Sequence, residues 1–190
     1  TELLSGSTVN PSTTIGFPHG AIHTEFKVAE SERAIADGCE ELDMVVNISQ
    51  VKTGHWSYVC DDIKAVVDVA HAASRKVKVI FENCYLTDDH KIRLCEICSE
   101  LNADWVKTST GYGTGGATMN DLILMRKHSA DSVQVKAAGG VRDFDKLLEV
   151  RTIGVSRIGA SATKAILDVC RQRLVLDPIN IAETGVVGGY

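Results

Sequence analysis

No apolar run in this sequence approaches the roughly 20 residues that a membrane span requires, and no secretory leader pattern opens it. Basic charge is not in excess either: 20 Lys and Arg stand against 25 Asp and Glu, for a net charge of −5 and a pI near 5.7. A nucleic-acid surface needs a basic stripe, so that class is set aside. Aromatic residues supply only 5% of the chain, yet 44% is hydrophobic and 24% charged, a globular and not a disordered profile. The six cysteines (Cys39, Cys60, Cys84, Cys95, Cys98 and Cys170) are scattered without the density of a disulfide scaffold. They read as reduced thiols, and a cytoplasmic protein is expected. Neither a linker nor a low-complexity segment divides the 190 residues, so one domain with a real core is expected.

What organises the chain is a repeat. Strand-like runs rich in Val and Ile occur at Thr13–Phe17, Glu41–Asn47, Val77–Glu82, Trp105–Ser109, Val133–Ala138 and Val155–Ala160. Several read as nearly continuous apolar runs, as strands covered on both faces do. Helical periodicity fills the intervals: Glu25–Asp37, with Phe26, Ala29, Ala34 and Ile35 near one face, then Tyr58–Ala73, Asp88–Leu101, Asn120–His128, Asp143–Arg151 and Ser161–Leu174. Six strand–helix units of roughly 30 residues indicate an α/β fold with a parallel sheet. The absence of a Gly-x-Gly-x-x-Gly turn after the first strand argues against a dinucleotide-binding open sheet. The alternative is the closed (β/α)8 TIM barrel, in which chemistry sits at the C-terminal ends of the strands. Polar residues collect there: Asp43 and Asn47, Glu82, Lys107 and Ser109, Lys136, and Ser161.

Two of these are lysines in apolar strands, where lysine is costly. Lys107 lies in Trp105-Val-Lys-Thr-Ser-Thr-Gly111 and Lys136 in Val135-Lys-Ala-Ala-Gly-Gly140. A single such lysine could simply reach out to the rim. Two at neighbouring strand ends suggest a nucleophile and a cation that depresses its pKa, because a neutral buried amine attacks carbonyls to form a Schiff base. Asp43, from a third strand, could pair with the cationic lysine and pass protons through water; a purely structural ion pair is the competing reading. The turns Ala137-Ala-Gly-Gly-Val-Arg142 and Gly159-Ala-Ser-Ala162 follow the last two strands, where barrels often bind phosphate on backbone amides and helix N-termini.

Gly16-Phe-Pro-His-Gly20, Glu41-Leu-Asp-Met-Val-Val-Asn47, Val106-Lys-Thr-Ser-Thr-Gly111, Lys136-Ala-Ala-Gly-Gly-Val-Arg142 and Arg157-Ile-Gly-Ala-Ser161 resemble, in order, the motifs of the deoxyribose-phosphate aldolase family. The resemblance implies a (β/α)8 barrel and a lyase: a cofactor-free, metal-free class I aldolase of deoxyribonucleotide catabolism. Such an enzyme interconverts 2-deoxy-D-ribose 5-phosphate with glyceraldehyde 3-phosphate and acetaldehyde. Carried over by motif, Lys107 matches the Schiff-base lysine, Lys136 the lysine that perturbs it, and Asp43 the proton-relay aspartate. Thr110, Gly111, Gly139, Gly140, Arg142, Gly159 and Ser161 match substrate and phosphate contacts, while Ala162 stands where many relatives carry a second hydroxyl. The expected partner is a sugar phosphate, with neither nucleic acid nor membrane, and a homodimer or higher homo-oligomer is implied.

The family begins with two further βα units, and Leu3-Leu-Ser-Gly-Ser7 resembles the segment before its third strand. The expectation is therefore a six-unit barrel domain over 1–176, N-terminally incomplete, with a Gly-rich tail over 177–190. Tyr190, ending that tail, matches a tyrosine that folds into the site in some relatives. Two other readings stay open: a transaldolase-like barrel lyase, with its nucleophile on another strand, and a non-catalytic barrel fragment. Cys95-Glu-Ile-Cys98 falls on a helix and reads as packing, and His19 and His23 flank a turn and not a metal site.

Overall fold

The computed structural model describes residues 2–177, so Tyr190 and nearly all of the expected tail lie outside the described residues. Six strands alternate with helices: β1 (Ser12–Ile15), α1 (Thr24–Ala36), β2 (Glu41–Val45), α2 (Ile48–Lys52), α3 (Trp56–Ala72), β3 (Lys76–Ile80), α4 (Asp88–Glu100), β4 (Trp105–Lys107), α5 (Met119–His128), β5 (Gln134–Ala138), α6 (Phe144–Thr152), β6 (Val155–Gly159) and α7 (Thr163–Arg173). Each predicted strand and helix is present, with ends shifted by a few residues. The five-residue α2 has no counterpart in the sequence reading; it forms because the Asn47 side chain accepts a hydrogen bond from the Gln50 amide. Helix α4 starts on a capping box between Thr87 and His90.

All strand pairs are parallel and the spatial order is the chain order, β1 to β6. A doubly wound sheet would reverse its order at a switch point, whereas a barrel wall does not. Curvature shows in the contacts. Arg157 on β6 reaches Glu41 on β2, with Nη2–Oε1 at 2.8 Å. Four strand spacings in a flat sheet would put those strands about 19 Å apart. The sheet therefore curls around its polar face.

Alternation decides which face is which. Leu42 and Met44 of β2, Val77 and Val79 of β3, Val106, Val135 and Ala137 face outward and are buried against Ile63, Val66, Ala70, Leu94, Ile97, Leu122 and Met125 of the helices. The alternate residues Glu41, Asp43, Lys78, Lys107 and Lys136 face inward. Val45, Ile80 and Trp105 also lie on this inner face, so the central strands are buried on both sides as their composition suggested, with ionic groups set among the apolar ones inside. In α1 the expected face is also corrected: Phe26 and Ala29 are exposed, and Lys27 and Ser31 are the buried residues. Lys27 fits because its amine donates to Asp62 at 2.5 Å and to the Val45 carbonyl at 2.9 Å.

Candidate active site

At the C-terminal ends of β4, β5 and β6 lies a cleft of about 470 Å³. Its lining includes Lys107, Thr110, Gly111, Lys136, Gly139, Gly140, Arg142, Gly159 and Ser161, all expected from the sequence. Asp43 is not part of the lining; it lies behind the lysines. Its Oδ2 accepts from Lys107 Nζ at 2.8 Å and from Lys136 Nζ at 3.1 Å. The register explains the convergence, because Lys107 and Lys136 are direct partners on β4 and β5 and so project from the same side of the sheet.

Asp43 holds more charge than the sequence reading assigned to it. Its other oxygen, Oδ1, accepts from Lys78 Nζ at 2.8 Å, and Lys78 also donates to Glu41 Oε2 at 2.6 Å. Arg157 then grips both oxygens of Glu41. Burial alone would raise the Asp43 carboxyl, but Lys107, Lys136 and Lys78 outweigh it and hold it at about 2. Burial would raise Glu41 in the same way, and there Arg157 and Lys78 overcome it to hold the carboxyl at about 2. Lys136 moves the other way: burial is the main cause that lowers it, Asp43 opposes, and the Lys107 charge adds to the lowering. Lys78 and Glu41 were missed because neither sits at the C-terminal end of its strand, where candidate residues were sought. The strict alternation Lys76-Val-Lys-Val and Glu41-Leu-Asp-Met was the available signal.

The loops above the lysines are packed backbone on backbone. Gly139 and Gly140 both take positive φ, +74° and +79°, which favours glycine. A Cβ on Gly116 would lie 2.8 Å from the Gly139 carbonyl carbon, and one on Gly140 would lie 2.8 Å from the Ala117 oxygen. The β4–α5 and β5–α6 loops therefore need glycine at their contact. Glu82, at the end of β3 and buried, accepts from both the amide and the hydroxyl of Thr110, fixing the turn that follows Lys107.

Of the two turns expected to bind anions, only one leads into an open helix start. The N-terminus of α6 is already occupied by the Asp143 side chain, which accepts from the Lys146 amide at 2.8 Å. At α7 the N-cap is Ala162, which offers no side-chain cap. Arg142 is exposed at the cleft rim and has no hydrogen-bonding partner among the described residues. Cationic donors, backbone amides and a free helix N-terminus thus face one cleft, and such a set suits a phosphate beside a reactive amine.

Residues 6–172 match the model of the DeoC/LacD family aldolases. The chain belongs to that family. It is 64% identical over 185 residues to the deoxyribose-phosphate aldolase of Rhodopirellula baltica, covering 97% of this chain and 77% of the relative. The deoxyribose-phosphate aldolase of Thermococcus kodakarensis is 51% identical over 160 residues, 84% of this chain and 71% of the relative. Among solved structures, an aldolase named QR15 superposes with TM-score 0.83 at 33% identity, covering 91% of this chain and 78% of that one. A deoxyribose-phosphate aldolase from Aeropyrum pernix, described as tetrameric, superposes with TM-score 0.81 at 27% identity, covering 90% of this chain and 72% of that one. The six-unit array is accordingly a TIM-barrel fold of this aldolase family.

No described helix is long and apolar enough to cross a membrane. Cys95 and Cys98 are free, buried thiols on α4, where burial pushes Cys95 up to about 11 and Cys98 further in the same direction. They pack in the core, as their helical position indicated.

Proposed function

We propose that this chain is a class I deoxyribose-phosphate aldolase, cleaving 2-deoxy-D-ribose 5-phosphate reversibly to D-glyceraldehyde 3-phosphate and acetaldehyde. The observation that carries this reading is the pair of lysines sharing Asp43 Oδ2 at the base of a cleft rimmed by glycine turns and Arg142. In this reading Lys107 is the nucleophile. Its neutral amine adds to the C1 aldehyde, water departs, and a protonated imine forms. The hydroxyl on C3 gives up its proton, the C2–C3 bond breaks, and its electron pair flows to the imine to leave an enamine. Glyceraldehyde 3-phosphate leaves. The enamine takes a proton on C2, and water hydrolyses the resulting imine to acetaldehyde and free Lys107.

Lys107 and Lys136 share one carboxylate oxygen, so their charges lie close enough to repel each other. Lys136 retains the positive charge while Lys107 reacts, and Asp43 stays ionised and relays protons through water. The phosphate sits between Arg142, the Gly139–Gly140 turn, Gly159, Ser161 and the open start of α7, with Thr110 and Gly111 closing the side near the sugar. Assembly as a homo-oligomer and a cytoplasmic setting belong to the same reading, as does a single barrel domain over 1–176. The tetrameric relative and the free thiols support them.

Borohydride reduction in the presence of acetaldehyde, followed by peptide mapping, tests the assignment. An ethyl adduct on Lys107 is expected, and Lys107→Ala should abolish turnover. An adduct on Lys136 would reverse the two roles, and none on an active sample would remove the covalent mechanism altogether.

A further inference from the structure

We propose that Lys78 is a positioning residue for this reaction: held by the Arg157–Glu41 pair, it fixes Asp43 so that one carboxylate oxygen is left to serve both Lys107 and Lys136. The proposal rests on the aldolase reading above and deepens it.

Lys78 is among the largest fully buried side chains of the protein, at 1% exposure. Burying an ammonium is expensive unless every donor finds a partner, so its place demands an account. The account lies in its two bonds, 2.6 Å to Glu41 Oε2 and 2.8 Å to Asp43 Oδ1. The ring of Trp105 lies beneath, with Lys78 Nζ 5.4 Å and the Arg157 guanidinium 4.4 Å from its centroid. An unbroken line of ion pairs therefore runs from Arg157 through Glu41 and Lys78 to Asp43.

The geometry gives this line a consequence at the reacting pair. A carboxylate free to rotate about its Cβ–Cγ bond could offer a different oxygen to each lysine. Lys78 holds Oδ1 and so fixes the rotation of the carboxylate, which presents Oδ2 to both amines. They can be no farther apart than the two short distances to that oxygen laid end to end. Lys78 also adds a third positive charge facing Asp43, and its field reaches Lys136. The charged groups around Asp43 are Lys78, Lys107 and Lys136, with Glu41 and Arg157 one step behind.

The test is Lys78→Met in the full chain. Glu41 keeps Arg157, and Asp43 keeps two lysines, so neither carboxylate is left without a cation. The value of kcat should fall about 10- to 100-fold, the scale of a small displacement of a catalytic group, with KM little changed. Both limbs of the kcat–pH profile should move to higher pH by about one unit, because a positive charge facing Asp43 and Lys136 is gone. Lys78→Arg retains that charge and should leave the profile in place even if misfit lowers the rate. Glu41→Gln removes a negative charge instead and should displace the profile to lower pH; it decides the matter if Lys78→Met does not fold. A merely structural role would lower the rate at every pH without moving the profile. An unmoved profile in Lys78→Met, or in Glu41→Gln where Lys78→Met does not fold, would overturn the proposal whatever the rate. The borohydride adduct on Lys107 in the parent chain separates that failure from failure of the aldolase reading.

Discussion

Arg142 and Gly140 both border the cleft, but they test phosphate binding unequally. Gly140 has positive φ and would press a Cβ against the Ala117 oxygen at 2.8 Å, so Gly140→Val distorts the loop contact and should damage activity on any substrate. Arg142 is exposed and has no partner among the described residues to leave stranded, so Arg142→Ala removes a charge and little else. It should raise KM for 2-deoxyribose 5-phosphate about 10-fold or more, in line with the roughly 1.5–3 kcal/mol of a hydrogen bond to a charged group. KM for unphosphorylated deoxyribose should stay put. Steady-state kinetics on the two sugars decides the point, and equal losses on both would place the phosphate elsewhere. Gly159→Ala is a second probe: the nearest atoms to its Cβ lie 3.8–3.9 Å away, so the methyl fits and any loss reflects the ligand. Residues of this kind were legible in the sequence because each breaks a local rule. A lysine interrupts an apolar strand, or paired glycines close a strand-to-helix turn. Lys78 also interrupts an apolar strand, but in mid-strand and away from any glycine turn, and Glu41 opens its strand; alternation was their signal in the sequence, and only the contacts show what they do.

At the scale of elements, α1 shows how periodicity misleads when a charge is buried. Its apolar positions suggested a face through Phe26 and Ala29, yet the helix turns Lys27 and Ser31 inward. Composition alone cannot reveal this, because the partner Asp62 lies on α3, far away in sequence. Asp62 also accepts from Thr24 at 2.8 Å, so α1 and α3 are tied together at the end of β2 that leads to the site. Burial lowers Lys27 while Asp62 and Glu30 oppose that shift. Lys27→Ala leaves the Asp62 carboxylate buried without its cation and should cost about 3–5 kcal/mol. The paired replacement Lys27→Met with Asp62→Leu should recover most of that, because a well-packed apolar pair substitutes for a buried ion pair. Urea unfolding of the three proteins measures both effects. A double variant no more stable than Lys27→Ala would show that the two side chains do not act as a pair.

For the whole molecule, strand number, parallel pairing and sequential order all follow from the spacing of the apolar runs and the chirality rules of βα units. What spacing could not supply is the interior of the barrel, where an ionic network stands among apolar side chains such as Val45, Ile80 and Trp105. That substitution sets how the molecule should respond to acid. Asp43 and Glu41 are each held at about 2, against ordinary values of 3.8 and 4.5. A carboxyl whose folded pKa is depressed contributes stability that is present above its unfolded pKa and lost as pH falls through the folded one. For this pair the loss should begin at about pH 5, as the unfolded carboxyls start to take up protons, and be complete at about pH 1. Shifts of this size correspond to roughly 2–3 kcal/mol for each carboxyl, which together is a substantial share of the 5–15 kcal/mol that holds a domain folded. Thermal melts followed by circular dichroism across that window should therefore show a steep fall in Tm. Asp43→Asn removes one of the two titrating groups and leaves three cations facing no carboxylate at that position. It should start from a lower Tm at neutral pH and lose less on acidification. A parent chain whose Tm holds level through the window, or an Asp43→Asn variant that falls as steeply as the parent, would show that the interior network does not govern the acid stability of the barrel.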